Sequence, residues 1–497
     1  MNFGKLLNPD NFRVAHVREV AYCTAAALLV RRDLFMDIGL FDEVFAPAYY
    51  EDPDLQFRLR KAGWRVYYQP KSVVIHHEGA TCGQDEGENT TGLKRFQALH
   101  RPLFVERHKA ELEKHAWEKD PYKIDVQVFP RDLRHVFVFE TAIPTPERDA
   151  GSLRSIHLLR MLQEHRQVSL VPAVQQAEPR HVDALTQDGI RVVIGCDNLT
   201  QFLAQFRDVT DAVIVSRPEA GILLHKLIRD SFGKDVPLIF DTVDLHCERA
   251  ASLQEQDHDA ARRKYMLYRA IETFLARDAD RVWTVSEEER KIVASWGVPL
   301  AAIDVVPIIM DPAPTPATFD TRSGLLFLGG PAHQPNLEAV RYFASSIYPL
   351  IDLSLDVVGP GWDAAAILDA TAIHKLGFVD DLASVFNTHL AACFPLVSGA
   401  GMKGKVAHAM AAGLPVITTP FGAQGYQGAE DALCIGATPA ELADWAKKLT
   451  TNAALWQQKR EAGLRFIERH LSREVVARRV EEILGGIKLS STTNQHE

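Results

Sequence analysis

Apolar residues along this chain fall into short runs separated by stretches of helical spacing, and the alternation is most regular from His135 onward. The runs at 136–139, 168–171, 192–194, 213–215, 238–240, 282–285 and 305–306 are rich in β-branched or aromatic residues and too short for helices, so they predict strands. After the first run, Leu153, Ile156, Leu159 and Leu162 recur at helical intervals and predict a helix with one buried face. Strand, helix and strand in succession imply a parallel sheet covered by helices on both sides. Runs that are apolar at every position suit strands buried on both faces. Pro312, Pro314 and Pro316 then interrupt the pattern and mark 311–321 as a linker. Beyond it the alternation restarts, with strands expected at 325–328, 355–358, 390–394 and 416–418. The expected class is therefore α/β, with two doubly wound units whose strand carboxyl ends leave a cleft, the place where such sheets bind ligands.

Upstream the pattern changes. Residues 1–110 mix short strands and helices, and 111–133 form a charged connector with little periodicity. The expected domains are 1–110, a linker at 111–133, 134–312, 320–484, and a frayed tail at 485–497.

Composition narrows the class. Hydrophobic residues at 46% and charged residues at 24% of 497 exclude a mainly disordered chain, a collagen-like repeat and a small disulfide scaffold. With 55 basic and 65 acidic residues the net charge is −10, so a diffuse nucleic-acid footprint is excluded. The six cysteines are far apart, which fits a reducing compartment and neither a zinc site nor a disulfide framework. The longest early apolar run, 21–30, falls short of the roughly twenty residues of a spanning helix, and Arg31 and Arg32 close it. The expectation is a cytoplasmic protein whose membrane contact, if it has any, is peripheral, at the inner face.

Glycine clusters at predicted strand ends carry the candidate chemistry. Gly329 and Gly330 follow one strand, Gly359 and Gly361 the next, and Gly399, Gly401 and Gly404 precede a helix at 406–412. Their spacing fits neither the dinucleotide fingerprint nor the P-loop, so a nicotinamide enzyme is unsupported. The stretch Gly399-Ala400-Gly401-Met402-Lys403-Gly404-Lys405 opens a helix, where free N–H groups, the helix dipole and two lysines favour an anion. A plain strand-to-helix turn with two solvated lysines fits the spacing equally well.

The stretch 395–425, PLVSGAGMKGKVAHAMAAGLPVITTPFGAQG, resembles the donor-binding segment of family 4 glycosyltransferases, which have the GT-B fold. The resemblance runs from about 135 to 484 and includes TPERDAGSLRSIHLLRML, FDTVDLH, FLGGPAHQPNLEAVRYF and LGFVDDL. It implies two Rossmann-like domains facing across a cleft, and transfer of a sugar from a nucleotide diphosphate sugar with retention and without metal. By resemblance the donor side comprises Gly330, Gly401, Met402, Lys403 and Lys405 at the diphosphate and Gly377, Phe378 and Val379 along the base. Gly151 lies across the cleft by the donor sugar and acceptor, and His246 stands near the transferred sugar; the bland reading of His246 is a structural or capping histidine. Where the family commonly carries two glutamates eight positions apart, this chain has Ala400 and His408. His408 could hydrogen-bond ribose, or it could mark weakened donor binding. Where an Arg or Lys is expected after the first strand of this half, His333 is the nearest polar residue.

In the N-terminal part, EDPDLQFRLRKAGW at 51–64 predicts a capped amphipathic helix with Leu55, Leu59 and Ala62 inward, followed by a strand over VVIHHEGAT. With the stretch 21–45 before them, these motifs resemble the C-terminal half of a family 2 glycosyltransferase of GT-A fold. That implies Asp52 as the acceptor's base and His76 or His77 as a ligand of a divalent metal, but only in a completed GT-A module, which a partner chain could supply. The acidic triplets at 52–54 and 278–280 match a metal-binding Asp-X-Asp in letters only. The resulting expectation is a glycosyltransferase with a nucleotide-sugar donor and a glycan or lipid-linked acceptor, serving O-antigen-like or capsule-like polysaccharide synthesis. The alternatives are a weak or inactive scaffold of the same fold and a nucleotide-sugar epimerase.

Overall fold

The computed structural model describes residues 7–75, 93–113, 134–147, 149–252, 258–351, 353–365 and 372–493. The chain forms two compact units, residues 1–138 with 162–211 and 226–236, and residues 139–161 with 212–225 and 237–497.

In the first unit β1 (Arg18–Glu19) pairs antiparallel with β2 (Tyr67–Tyr68), and α1 spans Glu51–Lys61. Leu55 and Leu59 of α1 are buried as expected, whereas Ala62 is exposed. Asp54 is fully buried and accepts from Arg58 at 2.7 Å, Arg107 at 3.1 Å and His108 at 2.8 Å. It is thus a structural ion-pair hub, and among the described residues its triplet joins no cluster able to hold a metal. Asp52 does not cap the helix. Tyr50 holds the cap position with a left-handed φ of 75°, and the Asp52 carboxylate accepts from Ala25 N at 3.0 Å. Residues 73–75 form no strand, and His76 and His77 lie outside the described residues, as does most of the connector. The segment packs on later residues of the same unit: Phe12 meets Phe202 edge-on at 5.0 Å, Val17 N donates to Thr186 O at 2.9 Å, and Lys71 pairs with Asp183 at 2.8 Å.

A seven-stranded sheet contains β3 (His135–Glu140), β4 (Gln167–Pro172), β5 (Arg191–Val192), β6 (Thr210–Ser216), β7 (Leu238–Asp241), β8 (Arg281–Thr284) and β9 (Ile303–Val305), in the order β5-β4-β3-β6-β7-β8-β9. Every residue of β3, β4, β6 and β7 is buried, which is why their centres are mainly apolar on both faces, with buried polar residues at the ends and Ser169 inside β4. The helices that bear on the site are α2 (Ala150–Gln163), α3 (Pro218–Phe232), α4 (His246–Ser252), α5 (His258–Asp278) and α6 (Glu287–Ser295).

The second sheet contains β10 (Leu325–Leu328), β11 (Leu355–Val358), β12 (Ile373–Gly377), β13 (Ala391–Phe394), β14 (Val416–Thr418) and β15 (Leu433–Ile435). All are parallel, in the order β12-β11-β10-β13-β14-β15. The unexpected strands β12 and β15 are the two edges. In β12 only Ile373 is buried, so no apolar run announces it. The helices here are α7 (Gln334–Tyr342), α8 (Gly404–Ala411) and α9 (Arg473–Thr493); α9 runs on past Gly485, where a frayed tail was expected. Residues 311–318 have no regular structure, as their prolines predict, and are held by Ala313 N to Ala411 O at 2.8 Å. In each sheet the strand order reverses beside the first strand, at β3/β6 and at β10/β13, where α/β sheets open a ligand crevice.

Candidate active site

The loops leaving β10, β11 and β13 meet within the second unit. A Cβ on Gly359 (φ 146°) would lie 2.6 Å from Gly330 N, so the two turns can pack only as glycines. Asn336 on α7 donates to Gly330 O at 2.8 Å and offers its oxygen to the Lys405 ammonium. That ammonium also stands 4.4 Å from the centre of the Phe327 ring. Burial, and then the neighbouring Lys403, push the Lys405 pKa down to about 7. Lys403 donates to Gly401 O at 2.6 Å and lies 4.6 Å over Phe421. Burial lowers it to about 8 against the opposing pull of Glu289 and Asp244. Two lysines whose charge burial disfavours thus flank the start of α8, where the helix dipole also favours an anion.

The loops leaving β3, β6 and β7 approach this turn closely. A Cβ on Gly401 (φ 62°) would lie 2.8 Å from Asp244 Cβ, and one on Gly404 would lie 2.7 Å from Ala150 Cβ. Gly151 is hemmed in the same way by Arg217 Nη2 and Val243 Cγ1, both at 2.8 Å. Arg217 and Val243 themselves hold left-handed φ angles of 73° and 61°, uncommon for residues with a side chain and typical of functional loops. Arg217 bridges Glu140 at 3.4 Å and Asp149 at 3.2 Å.

His246 opens α4 and is almost fully buried among carboxylates. Its Nδ1 pairs with Glu219 at 3.0 Å, its Nε2 lies 3.5 Å from Asp244, and its backbone N donates to Glu272 at 2.6 Å. Burial alone would discharge it; Asp244 and Glu219 overcome this and push its pKa up to about 9. Burial likewise opposes the charge on Glu219, yet the His246 contact brings that carboxyl to about 2. Asp244 is held well below the carboxylate range by Arg249 and His246 against its own burial. Glu289 on α6 accepts from Leu245 N at 3.2 Å, and burial followed by the charge of Asp244 raises it to about 7. The carboxylates of Asp244 and Glu219 thus favour the charged, hydrogen-donating form of the His246 ring. Among the described residues its buried Nε2 has no hydrogen-bond partner.

Of the residues expected in the site, Gly151, His246, Gly330, His333, Gly401, Lys403 and Lys405 converge here; burial, Lys405 and Arg249 lower the pKa of His333. The side chain of Met402 turns away toward Gly425, where a Cβ would meet it at 2.4 Å, so only its backbone faces the turn. Gly377 O accepts from Gly359 N at 2.8 Å, Phe378 is exposed, and Val379 packs on the core. His408 stacks edge-on against Phe386 at 4.9 Å, and burial, then His157, lower its pKa. Asp52 belongs to the other compact unit. Asp278 pairs with His225 at 2.8 Å and Asp280 accepts from Leu238 N at 2.8 Å, so that triplet is structural too. Sequence reasoning missed Arg217, Glu219, Asp244, Arg249, Glu289 and Asn336. Asp244 sits two residues before His246 and Asn336 three after His333, signals that were available.

Residues 154–308 match the family model described as glycosyl transferase 4-like domain, and residues 322–452 match that described as glycosyl transferases group 1. An 88-residue stretch is 44% identical to the N-acetylglucosaminyl-diphospho-decaprenol L-rhamnosyltransferase of Mycobacterium tuberculosis, covering 18% of this chain and 26% of that protein. The chain thus spans about a quarter of the length of the curated relatives it matches. Sucrose-phosphate synthase from Thermosynechococcus elongatus superposes with a TM-score of 0.54 at 13% identity, covering 72% of this chain and 100% of that one. Anabaena HepE in complex with UDP gives 0.54 at 13%, covering 71% and 100%. At these identities the likeness shows the fold.

Proposed function

The chain belongs to the GT-B glycosyltransferases, and on that premise we propose that it moves a sugar from a nucleotide diphosphate sugar to a glycan or lipid-linked acceptor, with retention, in the building of a surface polysaccharide. The observation that carries this reading is the pair Lys403 and Lys405 at the start of α8, brought against the Asp244–His246 turn. A departing nucleoside diphosphate gains negative charge as the glycosidic bond breaks. Fixed cations and a helix N-terminus stabilise that charge without rearranging. The Nε2–H of His246, 3.5 Å from Asp244 and without a well-aligned hydrogen-bond acceptor among the described residues, is suited to donate to a hydroxyl of the transferred sugar. The UDP complex of the HepE relative supports a uridine nucleotide as the first donor to try. The diphospho-decaprenol acceptor in the name of the mycobacterial relative belongs to the N-terminal resemblance and is only a first acceptor class to try for the GT-B part.

We assign residues 1–110 to the end of a second, GT-A-like module, a relationship the 88-residue match supports only weakly. The chemistry is proposed to reside in the GT-B part. In that case nucleoside diphosphate release from donor plus acceptor should survive EDTA, and proton NMR of the first product should show the anomeric configuration of the donor. Loss of activity on chelation, restored by manganese, would move the chemistry to the N-terminal module.

A further inference from the structure

Helix α6 is opened by Ser286-Glu287-Glu288-Glu289, the pattern in which a glutamate at the third helical position turns back to cap its own helix. Ser286 does cap, its hydroxyl accepting from Glu289 N at 3.2 Å. Glu287 and Glu288 are exposed, whereas Glu289 is buried. Its Oε2 accepts from Val285 N at 3.4 Å, and its Oε1 leaves the helix and accepts from Leu245 N at 3.2 Å. A residue whose local pattern predicts a helix cap is thus committed to a turn of the site.

Leu245 stands between Asp244 and His246, and its N–H is the first of three successive ones where α4 starts. A helix start has no partner of its own for such groups. Glu272 of α5, also buried, takes the next two, from His246 N at 2.6 Å and Cys247 N at 3.1 Å. Asp244, the acid nearest in sequence, is engaged instead by Arg249, whose Nε donates to it at 2.9 Å. The backbone that carries His246 is therefore held by two carboxyls from other helices, and losing either would leave a buried N–H unsatisfied. The same Glu289 Oε1 lies 3.6 Å from the place a Cβ on Gly401 would take, so this carboxyl also borders the turn that carries the two lysines. Burial and then the charge of Asp244 raise Glu289 to about 7, so at neutral pH the uncharged carboxyl is already populated, and it still has an acceptor oxygen. What the Leu245 turn takes from this residue is an acceptor at a fixed reach.

We propose that Glu289 is a positioning residue for His246: by holding Leu245 N it fixes the turn that sets the His246 ring between Glu219 and Asp244 and sets Asp244 against Gly401. The competing role for the same carboxyl is a counter-charge to Lys403, and that role needs the charge and not the reach. The inference rests on the place of His246 in the proposed function and deepens it.

The test is an NMR titration of the ligand-free full chain carrying carbon-13 at histidine Cε1, with the His246 signal assigned by its absence in His246→Ala. In the wild type its midpoint should lie near 9. Glu289→Gln keeps an acceptor oxygen at the same reach and should titrate with the wild type. Glu289→Asp keeps the charge but falls one methylene short of Leu245 N, and Glu289→Met fills the site without an acceptor. In each of these two, whose folding is checked by melting curves, the midpoint should fall toward 6.5 by about one pH unit or more. UDP affinity by calorimetry at pH 7 should stay within about threefold of the wild type in all three, because Lys405 and the start of α8 are untouched. A wild-type midpoint in folded Glu289→Asp or Glu289→Met, or a fall in Glu289→Gln equal to theirs, would overturn the proposal. So would a loss of UDP affinity confined to the two uncharged variants, which would make the carboxyl the counter-charge of Lys403. Absence of UDP binding in the wild type would count instead against the transferase reading, since the titration is read without ligand.

Discussion

Lys405→Met removes one cation from the start of α8 while keeping most of the side chain's length. In the free protein the ammonium sits between the Asn336 oxygen and the Phe327 ring, and its pKa of about 7 leaves it roughly half protonated at neutral pH. A diphosphate at the start of α8 would hold it fully protonated. A charge-assisted hydrogen bond of this kind contributes about 1.5–3 kcal/mol, so the variant should bind UDP roughly 10- to 100-fold more weakly. Binding should also draw protons from solution. Wild-type affinity should fall as pH rises through about 7 and then through the Lys403 value of about 8. Isothermal titration at pH 8 in two buffers of different ionisation heat reads that uptake directly, and the variant should take up about one proton fewer. Stability gives an independent check on folding. The folded pKa lies below the ordinary 10.5, so the protonated lysine costs the ligand-free fold stability, and wild type gains stability as pH rises from about 7 toward 10.5. The ligand-free variant should therefore melt above wild type at pH 6, with the gap closing toward pH 10.5. UDP affinity and proton uptake both equal to wild type would refute the assignment of the diphosphate to this turn.

Five further substitutions separate the site from the N-terminal module and from backbone strain. His246→Ala should lower initial transfer rates strongly, whereas Asp52→Asn should leave them near wild type, because an asparagine oxygen can still accept from Ala25 N; a large rate loss in the latter at unchanged melting temperature would relocate the chemistry to the N-terminal module. Glu219→Gln removes one of the two carboxylates that hold the His246 imidazolium. The stability of a raised histidine is present in full below its ordinary 6.5 and is lost as pH rises through about 9, and that of the lowered Glu219 is lost only as pH falls from 4.5 through about 2. The variant should accordingly melt below wild type at pH 7 and approach it near pH 10, and a deficit that is constant with pH would show that the pair carries no net charge effect. Gly401→Ala combines a left-handed φ of 62° with a contact 2.8 Å from Asp244 Cβ and should cost about 1–3 kcal/mol together with donor affinity. Gly428→Ala, at φ 83° with open space around it, measures the strain alone, and equal losses in the two variants would remove the contact from the argument.

The chain's own pattern determined the two parallel sheets, because strands covered on both faces must be apolar at successive positions and β3, β4, β10 and β13 are buried at every residue. It also picked out the glycine turn with two lysines at a helix start as a candidate anion site, because those residues lie within seven positions of one another. The edge strands β12 and β15 escaped it: β12 exposes His374, Lys375 and Leu376 and so carries no apolar run, whereas β15 was missed although β9 and β14 are equally short. Tertiary structure alone decided the state of His246. Asp244 is near in sequence, but Glu219 comes from α3 and no spacing relates it to His246. Their effect on one imidazole depends on ångström distances and on burial, which arise only when those elements pack around the end of β7. The same holds for the burial of Lys405, which the sequence offered as a diphosphate ligand or, equally by spacing, as a solvated lysine. Its pKa of about 7 reflects burial and then the charge of Lys403 beside it, which outweigh the Asn336 oxygen and the Phe327 ring that favour the ammonium.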